Sequence, residues 1–69
     1  MVTIQEIIKS FKDEGLNDIT IANKLGISQP MVSQYKRGFK ASLDVARRIY
    51  KNDGTVVYPF SREAVERID

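Results

Sequence analysis

The sequence predicts a mostly α-helical single domain of five short helices, with a short extended segment near its C-terminal end. Three observations predict this. Apolar residues recur at the i, i+3, i+4, i+7 spacing of one helix face. A side chain able to cap a helix N-terminus precedes each of these stretches. Four glycines, Gly15, Gly26, Gly38 and Gly54, fall between the periodic stretches and interrupt none of them. At 69 residues, 42% hydrophobic and 29% charged, the chain has the size and composition of one small globular domain. No repeat, low-complexity tract or linker marks a second one.

The first helix opens at Thr3-Ile4-Gln5-Glu6, which fits a capping box. Ile4, Ile7, Ile8 and Phe11 form its apolar stripe, and Gly15 ends it. Asn17 is suited to cap the second helix, with Leu16 and Ile21 spaced as a hydrophobic staple and Asp18 favourably placed in the first turn. Ile21, Ala22 and Leu25 face inward, and Gly26 stops this helix after about two turns. The third helix is capped by Ser28 and tolerates Pro30 in its first turn, where a missing N–H lacks no partner. Its apolar side is Met31, Val32 and Tyr35. Its outward side, Gln29, Ser33, Gln34, Lys36 and Arg37, carries amides, a hydroxyl and bases with no acid.

Ser42 is suited to cap a fourth helix with Leu43, Ala46, Ile49 and Tyr50 at helical spacing. The turn sequence Asn52-Asp53-Gly54 between 48–51 and 55–58 also reads as a β-hairpin. Helix is preferred, because 43–50 keep the helical period and Ala46 is a poor strand residue. Residues 55–58, β-branched and aromatic, read as extended, and Pro59 limits them to an edge. Ser61 then caps a last short helix with Ala64, Val65 and Ile68 inward.

Composition excludes several functions. With no cysteine and no histidine there is no disulfide, zinc finger, thiol nucleophile or imidazole base. No Gly-rich phosphate loop is present, and Glu63 with Glu66 make no acid–base site without a cleft or a metal. Neither an enzyme nor a bound cofactor or metal is expected. No apolar run approaches the ~20 residues of a membrane span, and no signal peptide is visible, so a cytoplasmic, soluble protein is expected. The net charge is +2, but it is unevenly spread. Residues 1–18 carry Lys9 and Lys12 against Glu6, Asp13, Glu14 and Asp18; residues 19–43 carry Lys24, Lys36, Arg37 and Lys40 and no acid; residues 44–69 balance. The basic middle is a candidate polyanion face.

Within it, Ala22 lies four residues before Gly26 and Val32 six after. Two helices crossing through a three- to four-residue turn need a small residue at the crossing and glycine in the turn. That pattern is a helix-turn-helix signature, in which the second helix enters the major groove. The run 21–38, with its Ala, then Leu-Gly-Ile-Ser, then Val-Ser-Gln-aromatic, then base and Gly, resembles the helix-turn-helix of the phage Cro and repressor (lambda-repressor-like) family. The resemblance covers about a quarter of the chain directly. It implies a homodimeric, DNA-binding transcriptional regulator, a Cro-like repressor of phage or prophage type acting on a palindromic operator in a bacterial cytoplasm.

Carried over by position, the resemblance implies base reading by Gln29, Ser33 and Gln34, and backbone contacts by Ser28 and Arg37; Lys36 and Lys40, at and beyond the end of helix three, are placed to add phosphate contacts. A glutamine amide is able to pair with both N7 and N6 of adenine. Two departures stand out. Asp18 occupies a place where a polar residue commonly meets phosphate and would repel it, leaving that grip to Asn17, Thr20 or Asn23. Pro30 occupies a place that often reads a base, which shifts readout toward DNA shape. The segment 55–60 is expected to pair with its copy across a two-fold axis, with Val56, Val57, Tyr58 and Phe60 as dimer contacts; folding back on its own helices is the alternative. A rival reading of the whole chain is an antitoxin-like or accessory protein-interaction module that uses the helix-turn-helix mainly as scaffold. Another is a non-specific architectural DNA binder.

Overall fold

A computed structural model describes residues 2–67. Five helices follow one another: α1 (Ile4–Asp13), α2 (Asp18–Leu25), α3 (Gln29–Lys36), α4 (Leu43–Asp53) and α5 (Arg62–Glu66). Each begins at the capping residue the sequence indicates. The side-chain oxygens of Thr3, Asn17, Ser28, Ser42 and Ser61 accept from the amides of Glu6, Thr20, Met31, Val45 and Ala64. Each bond satisfies one donor that the helix start leaves orphaned.

The stops are equally local. After α1, α2 and α3 the chain turns through a glycine with positive φ, and the next amide reaches back to a carbonyl five residues earlier. These bonds are Leu16 N–H to Phe11 O at 3.1 Å, Ile27 N–H to Ala22 O at 3.0 Å and Phe39 N–H to Gln34 O at 3.4 Å. This is the Schellman stop, which pairs the last free carbonyls of a helix. Gly26 (φ 73°, ψ 28°) is the one that matters most, because it sets the three-residue connection 26–28 between α2 and α3. A Cβ there would also collide with the side chain of Asn52, at the end of α4.

α2 lies at the centre, packed on α3 and α4; α1 packs on α3, and α5 on α4. The core is Ile4, Ile7 and Ile8 of α1, Ile21, Ala22 and Leu25 of α2, Ile27 of the connection, Val32 and Tyr35 of α3, Ala41, Val45, Ala46 and Ile49 around α4, and Val57 and Val65 beyond. Ala22 and Ala46 are almost wholly covered, as small residues at helix crossings must be. On α4 the buried side is Val45, Ala46 and Ile49, while Leu43 and Tyr50 are half-buried at its margins. No buried polar or charged residue is found among the described residues. The Cα radius of gyration is 11.1 Å, the value expected of a close-packed chain this long.

Residues 48–53 continue α4, so the hairpin alternative does not form. The segment after Gly54 is extended, but its partner differs from the one expected. Val57 makes an isolated parallel bridge with Val2, and the Tyr58 amide donates to Val2 O at 2.7 Å. Val57 is 0% exposed within its own chain, which corrects the expectation that it faces a second copy. Folding back lets Val57 join the thin core of a small chain. The Tyr58–Pro59 peptide is cis. α5 carries Val65 inward as expected; Ile68 lies outside the described residues. Among the described residues, no helix is long and apolar enough to cross a membrane.

Candidate nucleic-acid interface

α3 presents its polar side to solvent. Gln29, Pro30, Ser33, Gln34, Lys36 and Arg37 are exposed, Met31 is half-buried, and Val32 and Tyr35 point into the core. Gln29 and Ser33 stand one turn apart, as do Pro30 and Gln34, and Arg37 follows Ser33 by one more turn. The result is a continuous surface of amides and a hydroxyl ending in two bases. α3 has no acid in its first turn and Lys36 in its last. With Ser28 and Gln29 also exposed, its N-terminal end is open to a ligand. Tyr35 is 6% exposed, and this burial raises the pKa of its hydroxyl.

The end of α3 is anchored from α1. The Gln5 side-chain amide donates to Tyr35 O at 2.9 Å and to Phe39 O at 2.8 Å. Both acceptors belong to the last turn of α3 or the loop after it, where carbonyls lack helical partners. Gln5 therefore sets how α3 sits against α1, a role sequence reading missed. Nothing near Gln5 in the sequence signals partners 30 and 34 residues away.

The residues at the start of α2 are placed differently from one another. Asn17 is exposed, and its Oδ1 is occupied by the Thr20 amide at 2.9 Å; Thr20 is half-buried, and Asn23 and Lys24 are exposed. Asp18 is not the isolated acid the sequence suggested. Its carboxylate lies 2.7 Å from Lys12 Nζ of α1 and 3.4 Å from Lys36 Nζ of α3. The close ion pair with Lys12 is the main cause that holds the Asp18 carboxyl below its ordinary pKa, against partial desolvation, with Lys36 adding to it; Lys12 is raised in turn. The expected repulsion of phosphate by Asp18 is therefore offset by two cations. Lys9, Lys12 and Lys36 also line a hollow of about 450 Å³ with Gln5 and Ile8.

Lys40 is exposed in the loop after α3, on a groove of about 360 Å³ shared with Thr3, Gln5, Ala41, Tyr58 and Pro59. Of the four residues expected at a dimer contact, Tyr58 is 54% exposed, Val56 and Phe60 are half-buried against the core, and Val57 is covered. Phe39, which sequence reading did not single out, is 55% exposed. No family model, curated protein or solved structure matches the chain.

Proposed function

We propose that the protein is a sequence-specific DNA-binding transcription regulator, a Cro-like repressor of phage or prophage type that acts as a homodimer on a palindromic operator. α2, the connection 26–28 and α3 act as a helix-turn-helix, with α3 in the major groove. The observation that carries the reading is the outward side of α3: Gln29, Ser33 and Gln34 exposed together, bases at its end, and no acid among them. Side chains with paired donors and acceptors on an acid-free helix suit base edges flanked by phosphates. Gln29 and Gln34 read bases, with Ser33 between them. Ser28, Arg37 and Lys40 meet the backbone, as do Asn17 and Thr20 at the start of α2. Tyr58, with the exposed parts of Val56 and Phe60, supplies the two-fold contact, and half-sites about 34 Å apart lie on one face of the duplex.

Selection of bound DNA from a randomised duplex library, at about 150 mM salt, tests the reading. An enriched palindrome is expected. A single enriched half-site would remove the stable dimer but keep α3 as the reader. No enrichment would reject sequence-specific binding. A second reading, an antitoxin-like protein-interaction module, draws on Phe39 and Tyr58, two large apolar side chains left exposed. Tight capture of a protein partner through this region, with weak DNA affinity, would favour it.

A further inference from the structure

The Lys12–Asp18–Lys36 cluster joins three helices at the edge of the proposed DNA-binding face. Asp18 opens α2, Lys12 comes from the last turn of α1, and Lys36 from the last turn of α3. The carboxylate is only 22% exposed, while the two lysine side chains remain 39% and 42% exposed. The ammonium groups are thus within reach of solvent ions but are turned toward an acid. Lys36 is one of only four bases in the acid-free stretch 19–43, so its engagement withdraws a good part of that stretch's positive charge.

Sequence-independent DNA affinity comes almost wholly from cations that neutralise phosphates and release counterions. A lysine already neutralised by a carboxylate at 2.7 or 3.4 Å releases fewer. Exposed ion pairs of this kind are weak in themselves, so the cluster matters little for holding the fold. Its consequence lies in the electrostatic reach of the surface.

We infer that Asp18 is a brake on sequence-independent DNA binding: by holding Lys12 and Lys36 it keeps two cations from phosphates, so that occupancy depends on the reading side chains of α3. The inference rests on the DNA-binding reading above and assigns Asp18 a specificity-determining role within it. Conversion of Asp18 to a neutral side chain is then a gain-of-affinity change, although it lies beside the reading helix.

The test is a double-mutant cycle on Asp18→Asn and Lys36→Met, binding a short duplex of random sequence between about 50 and 200 mM salt. D18N is expected to bind about eightfold tighter per lysine released at about 0.1 M salt, with the slope of log affinity against log salt steeper by about 0.9 for each. Lys36→Met is expected to change little in the wild-type background and to reverse part of the gain in the D18N background. Glu63→Gln, on α5, alters net charge equally and is expected to leave the slope unchanged. Thermal melts of each variant confirm that the fold is kept. Equal losses from Lys36→Met in both backgrounds, or an unchanged D18N slope while the wild type binds DNA, would overturn the brake and leave DNA binding standing. An equal gain from Glu63→Gln would also overturn it. No binding of the random duplex by D18N even at about 50 mM salt would overturn the brake, whereas the DNA-binding reading itself falls only if the library selection shows no enrichment.

Discussion

The α2–α3 unit and the segment after Gly54 are built on opposite terms. In the first, short-range contacts set the beginnings and ends: Asn17 caps α2, Gly26 stops it, Ser28 caps α3, and none of these contacts spans more than a few residues. On its outward side Gln29, Ser33 and Gln34 are exposed while Lys36 is held by Asp18, and its inward side is a run of apolar residues at helical spacing. In the second, residues 55–60 have no helix of their own. Their course is set by a bridge to Val2 at the far end of the sequence and by the burial of Val57. One region carries an exposed polar surface on a locally determined frame; the other has its position dictated by the core it closes.

The sharpest way to break this comparison is at Val57. Val57→Asp would place an unpaired charge in the core and is expected to cost at least about 3 kcal/mol, enough to unfold much of a chain whose total stability is about 3–10 kcal/mol. Tyr58→Ser, one residue away and exposed, is expected to stay within about 0.5 kcal/mol. Urea denaturation followed by circular dichroism compares them. A tolerant Val57 would mean that the segment leaves the core.

The next effect belongs to the polar side of α3. Gln34→Ala is expected to weaken binding to the selected operator by about 1–3 kcal/mol while leaving random DNA nearly unchanged. Fluorescence anisotropy on the two duplexes measures it. Equal losses on both would remove Gln34 from base reading.

The connection between the helices gives a smaller change. Gly26→Ala forces a side chain onto φ 73° and is expected to cost about 1–2 kcal/mol in thermal stability. The Asn52 amide that a Cβ would meet is itself bonded to Arg48 O at 2.7 Å, so Asn52→Ala in the same background is expected to recover the part of the cost that comes from crowding and leave the part that comes from φ. Full recovery would show that crowding, rather than backbone conformation, requires glycine there.

The smallest effect is the pH dependence of Asp18. Its carboxyl titrates below the ordinary 3.8 in the folded chain because Lys12 and then Lys36 favour the charged form. A depressed carboxyl contributes stability in full above its unfolded pKa and loses it as pH falls through its folded value. The stability difference between wild type and Asp18→Asn is therefore expected to shrink as pH drops below about 3.8. Denaturation series at neutral pH and at successively lower values would show it, and a difference that grew on acidification would contradict the ion pairs.

The helix starts were legible because a cap is a contact over three residues: Thr3, Asn17, Ser28, Ser42 and Ser61 each bond the amide the spacing indicates. The acid-free side of α3 was legible for a similar reason, since helical periodicity alone sorts Gln29, Ser33 and Gln34 from Val32 and Tyr35. Other features were out of reach. Gln5 reads as an ordinary first-turn residue, yet it holds carbonyls at 35 and 39. Asp18 reads as a lone acid, yet it meets lysines from two other helices. On α4 the period admits a stripe through Leu43 or through Val45, and only packing makes Val45 the buried one.

The residues alone determined five capped helices, their order, the short connection between α2 and α3, and a polar, basic side on α3. Each follows from hydrogen bonds or side-chain spacing within one or two turns, where chain connectivity holds the partners close. Only the tertiary structure decided that Val57 is core rather than interface, that Gln5 anchors α3, and that Asp18 joins two lysines. Those partners are brought together by apolar burial, which favours covered area without regard to sequence separation.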